Sequence, residues 1–227
     1  MGLTGKNNEE KAWNFLKGKI PNDFGVAGLM GELFAESGLN PQNLQNSYEK
    51  KLGFTDATYT AAVDSGSYAN FVYDSAGYGV AQWTFWSRKE ALLNYVRALG
   101  VSIGDLEAQL GFLYKELSES YPSVLAALKT ATSVRAASDK VLTDFERPAD
   151  QSEAVKIKRA GYGQTYYDKY AKAAASTPSE GGNNMSNSPL VNCTVKSPNH
   201  SGKRTHSIDT LTPHCVVGQL TAEGIGS

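Results

Sequence analysis

The sequence predicts an α+β fold that is mainly helical, with a small strand-bearing lobe inserted after the second helix. Before residue 40 and after residue 86, apolar residues recur at the three- and four-residue spacing of helices. Between these limits, turns, glycines and aromatic residues replace that periodicity, and "SYANFVYDSAGYGVAQWTFW" is typical of two or three short strands. A helical body with such a lobe is the outline of an α+β domain.

The helices can be placed in order from composition and terminal signals. "NNEEKAWNFLKGK" predicts the opening helix, and Asp23 is positioned to cap a second helix whose apolar residues include Val26, Leu29 and Leu33. A last long helix is predicted over residues 152–174, with two glycines near its middle. The helices between them begin at the capping box from Ser87, at Ser102 with Asp105, at Pro122 and at Ser133.

Histidine and cysteine are confined to the end of the chain. Residues 1–192 contain neither, whereas all three histidines and both cysteines follow. Small and polar residues with glycine and proline make residues 174–189 a predicted flexible linker. The sequence therefore predicts a domain over residues 1–173, the linker over 174–189 and a separate segment over 190–227.

Charge and hydropathy bear on the partners to be expected. Twenty-two basic residues balance 23 acidic ones, which gives no reason to expect nucleic acid or an anionic membrane. The first residues lack the basic and apolar segments of a signal peptide, and no run of about 18 apolar residues occurs. We expect a soluble monomer that binds neither nucleic acid nor membranes.

The missing residue types also limit the chemistry of the first domain. Without histidine or cysteine it cannot use a Ser-His-Asp or Cys-His arrangement, and it lacks the usual zinc ligands. Carboxyl groups remain as the natural acid and base. A carboxyl group that acts as a general acid near neutral pH needs an apolar setting that raises its pKa. We expect no metal and no cofactor.

Two glutamates in "MGELFAESGLNP" are candidates for that acid. Around the helix, Glu36 lies closer than Glu32 to the centre of the apolar stripe, so Glu36 is predicted to be half-buried and Glu32 to be a solvated flank. Glu36 also falls in the last turn, beside the negative end of the helix dipole. Asn40 and Pro41 then end the helix and leave Glu36 at the lip of a cleft.

The aromatic residues of the lobe add to this hypothesis. Ten of them fall between Tyr48 and Trp86. Flat sugar rings stack on side chains such as Tyr73, and amides such as Gln82 hydrogen-bond hydroxyl and acetamido groups. The alternative is that these aromatic residues form the core of the lobe itself.

The segment "GVAGLMGELFAESGLNP", with "SAGYGVAQWT" and "FERPAD", resembles the phage tail lysozyme family over about residues 6–171. These are peptidoglycan-cleaving domains of bacteriophage tail proteins and endolysins. The Glu-Ser pair followed by Gly-x-x-Gln is also similar to goose-type lysozymes and soluble lytic transglycosylases. In all of them the glutamate of the Glu-Ser pair is the acid, so the resemblance implies a lysozyme-like helical domain with Glu36 as the acid.

The implied reaction is hydrolysis of the β-1,4 bond between N-acetylmuramic acid and N-acetylglucosamine in bacterial peptidoglycan. Asp74 and Asp64 are the candidates for base or nucleophile. If neither reaches the site, groups of the substrate itself attack and give an anhydro-sugar product, as in lytic transglycosylases.

The resemblance also implies substrate-binding residues. Glu146 and Arg147 match a family motif, and either a buried ion pair that fixes helices or a contact with sugar would explain them. The residues that match the substrate-groove motif are Gly77, Tyr78, Gly79, Gln82 and Trp83.

The tail resembles the beginning of a phage-type N-acetylmuramoyl-L-alanine amidase, in which His214 of "TPHCVVGQ" would be the first zinc ligand. Such a domain needs over a hundred further residues and two more ligands, yet only thirteen residues follow His214. We therefore expect residues 190–227 to be a truncated, disordered start of an amidase domain without metal or activity.

Two other classes of function remain open at this level. The domain could bind peptidoglycan without cleaving it, or it could be a structural part of a phage tail. As an endolysin, the protein would stay in the host cytoplasm until lysis and then attack the cell wall, whereas a tail lysin would be mounted on the virion.

Overall fold

A computed structural model describes residues 2–172 of the protein. Within this range the chain forms nine α-helices. The last two of them continue into π-helical turns, at Leu142–Glu146 and at Tyr167–Lys172. No helix in this range is long and apolar enough to cross a bilayer. In chain order the helices are α1 (Asn8–Lys17), α2 (Asp23–Ser37), α3 (Asn46–Leu52), α4 (Asp56–Asp64), α5 (Trp86–Leu99), α6 (Leu106–Glu119), α7 (Pro122–Lys129), α8 (Val134–Val141) and α9 (Glu153–Tyr166).

The prediction of a strand-bearing lobe, and with it the α+β fold class, is wrong, because residues 2–172 contain no β-strand. Two short helices, α3 and α4, lie where strands were expected, and Tyr78 forms only isolated bridges, with Leu44 and with Trp83. The backbone takes positive φ angles at Ser75, Gly79 and Gln82, so the chain turns too often for a ladder to extend. The domain is therefore helical throughout its described part, with tight turns in place of a sheet.

Several aromatic residues of this region belong to the core. Tyr59, Phe71, Tyr78 and Trp83 are at most 1% exposed. Tyr59 and Tyr78 pack with their ring centroids 5.4 Å apart, and Trp83 meets Phe112 of α6 edge-on at 5.5 Å. The aromatic content that suggested strands instead attaches the turns to the helical body.

Helix termini follow the sequence signals in part. Asp105 and Ser133 accept hydrogen bonds from the backbone at the starts of α6 and α8, and Pro122 is the first residue of α7, as predicted. The second helix is capped by Asn22 and not by Asp23. The prediction of a capping box at Ser87 is wrong, since α5 already begins at Trp86 without a side-chain cap.

Helix α2 is the centre of the domain. It is buried continuously from Gly25 to Leu33, because other helices cover all its sides. A β-carbon on Gly31 would lie 2.5 Å from the backbone nitrogen of Gly163 in α9, and one on Gly28 would lie 2.5 Å from the β-carbon of Ala137 in α8. Glycines therefore let the backbones of α8 and α9 approach α2 closely.

We expect Gly31→Ala to lower the free energy of unfolding by about 1–3 kcal/mol, because the added methyl group meets backbone atoms that cannot move aside. Gly161→Ala is the matched control. Gly161 also lies in α9, but a β-carbon there has no neighbour within 4 Å, so this change should stabilise the protein by about 0.5–1 kcal/mol. Urea unfolding measures both. Equal stability of the two variants would show that α2 and α9 are not in close contact.

Candidate active site

A cleft of about 560 Å³ opens where the C-terminal end of α2 meets residues 43–47, which lead into α3, and the turn at residues 82–85. Helix α5 and the π-helical turn after α8 complete its wall. Most of its side chains are polar, and they include carboxyl groups, amides and a guanidinium. The lining residues are Glu36, Asn43, Gln45, Asn46, Ser47, Gln82, Thr84, Phe85, Arg88, Glu146 and Pro148.

Glu36 lies on the wall of this cleft. Its side chain is 20% exposed, so the expected half-burial is confirmed. The prediction of an apolar setting for the Glu36 carboxyl group is wrong, because Nη1 of Arg159 in α9 lies 2.5 Å from Oε1 of Glu36. Next to it, Ser37 donates a hydrogen bond to the carbonyl oxygen of Val80 at 2.9 Å. This bond attaches the end of α2 to the glycine-rich turn and fixes where Glu36 projects.

Glu32 is completely buried, and its prediction as a solvated flank is wrong. Its Oε1 accepts a hydrogen bond from Ser138 of α8 at 2.6 Å, and its Oε2 pairs with Arg159 at 2.9 Å. Burial raises the pKa of Glu32, while the hydrogen bonds from Ser138 and Arg159 act in the opposite direction. The angular argument failed because α2 is buried on every side from Gly25 to Leu33.

Glu146 enters the same cleft from the π-helical turn that follows α8. The turn closes with a hydrogen bond from the amide of Arg147 to the carbonyl oxygen of Leu142 at 2.8 Å. Oε1 of Glu146 is shut off from solvent and has no hydrogen-bond partner among the described residues. Burial raises the pKa of Glu146 well above its ordinary value, and the nearby Glu36 raises it further.

The interpretation of Glu146 and Arg147 as a buried ion pair is wrong. Arg147 is exposed, with a φ of 51°, and its Nε donates to the carbonyl oxygen of Asp144. Among residues 2–172, Glu146 forms no salt bridge. The arginines near it are Arg88 and Arg159, and each is bound to another carboxylate.

Arg88 is held at the edge of the cleft by Glu116 of α6. Its Nε and Nη2 atoms lie 2.8 Å and 3.0 Å from the two oxygens of Glu116. Trp83 donates its indole N–H to the same carboxylate at 2.7 Å. This double contact orients the guanidinium and anchors the turn that carries Gln82.

The predicted groove residues divide into lining and supporting ones. Gln82 lines the cleft and donates to the side-chain oxygen of Asn43 at 2.9 Å, with a backbone φ of 44° that is unusual outside glycine. Tyr78 and Trp83 are fully buried beneath the turn. Gly77 donates its amide to the side chain of Gln45, and a β-carbon on Gly79 would meet the amide of Gln109.

Asp74 lies outside the cleft, in a buried cluster. Its side chain is 1% exposed, and Oδ1 lies 2.5 Å from Nζ of the fully buried Lys89. Tyr59 and Tyr68 donate their hydroxyl groups to the other oxygen. Burial lowers the pKa of Lys89, and the contacts with Asp74 oppose that effect.

Asp64, the last residue of α4, is also apart from the cleft. Its carboxylate accepts hydrogen bonds from the hydroxyl of Ser102 and from the amide of Ile103 at 2.8 Å. It lies beside a different surface depression, which is formed with Val96 and Arg97 of α5. Neither aspartate is therefore brought to Glu36.

An aromatic platform adjoins the cleft, formed by Tyr73, Phe85 and Trp86. These rings are 66%, 61% and 48% exposed, unlike the buried rings beneath the turn. Tyr73 and Trp86 are nearly parallel, with centroids 6.4 Å apart. They line a depression of about 390 Å³ that shares Thr84 and Phe85 with the cleft. The depression therefore continues the cleft along the surface.

Comparison with known proteins identifies the class. A sequence model described as phage tail lysozyme matches residues 7–170, which is most of the chain, so the protein belongs to the phage tail lysozyme family. No curated protein and no solved structure matches it. The family points to a lysozyme-like peptidoglycan hydrolase, for which bacterial peptidoglycan is the substrate.

The family match ends before the histidine-rich tail, and nothing in the comparisons supports the amidase resemblance. Residues 190–227 and His214 lie outside the described residues. Among residues 2–172, no group of three histidine, cysteine or acidic residues is arranged to hold a metal ion.

We expect Asp74→Asn to lower the free energy of unfolding by about 3–5 kcal/mol, because it leaves the charge of Lys89 buried without its partner. Asp64→Asn is the control. It keeps an oxygen for the amide of Ile103 and isolates no buried charge, so its cost should stay below about 1.5 kcal/mol. Chemical denaturation compares the two. A wild-type stability for Asp74→Asn would show that the buried pair does not hold this region together.

Proposed function

We propose that the protein is a muramidase of the endolysin type, in which Glu36 is the general acid for cleavage of the bond between N-acetylmuramic acid and N-acetylglucosamine. One observation carries this proposal. Glu36 projects from the end of the central helix into a cleft lined by amide side chains, in a chain of the phage tail lysozyme family. Its site of action would be the host cell wall, reached from the cytoplasm at lysis.

In this mechanism Glu36 gives a proton to the glycosidic oxygen while positive charge develops on the departing sugar. The amides of Asn43, Gln45 and Gln82 face the same cleft and supply hydrogen bonds for hydroxyl and acetamido groups. Arg159 orients the carboxyl group through the contact with Oε1 of Glu36.

A lytic transglycosylase is the second candidate, and the positions of Asp74 and Asp64 support this alternative. Neither Asp74 nor Asp64 lines the cleft, so an attacking group from the substrate itself would need no protein carboxylate. Mass spectrometry of fragments from borohydride-treated digests separates the reactions. Reduced N-acetylmuramic acid ends indicate hydrolysis, and anhydro ends indicate transglycosylation.

We expect Glu36→Gln to reduce the cleavage of purified peptidoglycan by at least about 100-fold, because an amide cannot donate the catalytic proton. Glu90→Gln is the control, since Glu90 is an exposed glutamate of α5 that lies outside the cleft. Release of soluble sugar fragments measures activity, and circular dichroism verifies folding. Full activity in a folded Glu36→Gln variant would reject both the muramidase mechanism and the transglycosylase mechanism.

The aromatic platform would bind the glycan strand beyond the cleaved bond. We expect the double variant Phe85→Ala with Trp86→Ala to raise KM for long glycan strands by about 10-fold, with kcat nearly unchanged, because stacked rings contribute about 0.5–1.5 kcal/mol each. Leu99→Ala is the control, as Leu99 is similarly exposed at 54% but lies outside both depressions. An unchanged KM in the double variant would remove the platform from the substrate site.

A further inference from the structure

The cleft contains a second carboxyl group that the mechanism above does not use. Glu146 lines the same cleft as Glu36, and within residues 2–172 its buried Oε1 has no hydrogen-bond partner. A buried acceptor without a partner is costly when it is ionised, and native structures contain few of them. The π-helical turn that carries it is a local geometry found often at functional sites.

The two arginines near Glu146 form their ion pairs with other carboxylates. Arg88 of α5 donates hydrogen bonds from Nε and Nη2 to Glu116. Arg159 of α9 donates hydrogen bonds from Nη1 to Glu32 and Glu36. Four carboxyl groups therefore meet two guanidinium groups in and beneath the cleft. A proton held among the carboxyl groups reduces this excess of negative charge, and the carboxyl group without a partner is where it costs least to hold it.

We propose that Glu146 and Glu36 share one proton, which rests on Glu146 in the free enzyme and reaches the glycosidic oxygen through Glu36. This inference rests on the proposed function, since it explains how Glu36 serves as an acid while paired with Arg159. Glu146 acts through Glu36 and is therefore a positioning residue for the proton.

The two glutamates hold the same number of protons before and after one turnover. Glu146 releases its proton and Glu36 takes it up, either directly or through a water molecule in the cleft. Glu36 then protonates the glycosidic oxygen as the bond from that oxygen to the anomeric carbon breaks. The attacking water, or the attacking hydroxyl of the substrate, adds to the anomeric carbon and gives one proton back to the pair. The pair ends with one proton, as it began, and no oxidant or cofactor is needed.

The charged groups that face Glu146 agree with this arrangement. Burial raises its pKa most, Glu36 and Glu32 of α2 raise it further, and Arg88 and Arg159 lower it without cancelling the rise. Glu146 and Glu36 line the same cleft, and a negative charge on Glu36 makes the ionised form of Glu146 less favourable.

The test is the pH profile of kcat/KM for wild type, Glu146→Gln and Glu146→Asp. In Glu146→Gln the proton has lost the carboxyl group on which it rests in the free enzyme, so the alkaline limb should move by at least about one pH unit to lower pH. Glu146→Asp should restore most of the wild-type profile, because it returns a titrating carboxyl group. A purely structural role would change stability without moving the limb, and an unmoved limb in folded Glu146→Gln overturns the proposal.

If a Glu146 variant fails to fold, a direct measurement on the wild-type protein still tests the proposal. In wild type labelled with ¹³C at the glutamate side-chain carboxyl carbons, NMR should detect a carboxyl group that stays protonated near neutral pH. If all glutamates are ionised there, the proposal is wrong. Activity of Glu36→Gln separates the two hypotheses. An active Glu36→Gln rejects the proposed function itself, whereas an inactive one with an unmoved limb in Glu146→Gln rejects only the shared proton.

Discussion

The contact of Arg159 with both Glu32 and Glu36 is the interaction on which the candidate site depends. One guanidinium nitrogen joins a completely buried carboxylate to one that faces the cleft. This is possible only because α9 lies against α2 at backbone distance, where Gly31 and Gly163 face each other. Packing and charge are thus coupled at this point. The glycine contact sets the position of α9, and that position sets the orientation of Glu36.

The site as a whole has more acid than base. Arg88 and Arg159 are the guanidinium groups of the cleft region, and each is oriented by carboxylates of the helices that surround it. Both arginines are thus already engaged by carboxylates other than Glu146. This pairing leaves Glu146 without an ion pair of its own among residues 2–172, with its Oε1 atom buried and only partial compensation from the two arginines. The electrostatic design of the cleft therefore favours proton retention, which is a property that a glycosidase acid requires.

Sequence reasoning located most helices and Glu36, because periodicity, caps and the Glu-Ser motif are local signals. It failed where the outcome depended on distant neighbours. The lobe was assigned to strands from its glycines and aromatic residues, although the burial of Tyr59 and Tyr78 among helices decides its structure. Glu32 was misjudged because the helix that carries it is covered on all sides. Arg159 was not predicted at all, since it is separated from Glu36 by 123 residues and no local pattern connects them.

That separation has a consequence for biosynthesis. Glu36 leaves the ribosome early, with α2, while its partner Arg159 emerges only with α9, and the close contact of Gly31 with Gly163 forms no sooner. A nascent chain that ends at α8 therefore has the cleft glutamate without the arginine that orients it. Glu36 gains its orienting arginine only when nearly all of the matched region, residues 7–170, has been translated. Shortened versions of this lysozyme domain must accordingly retain α9 in full if they are to keep an ordered site.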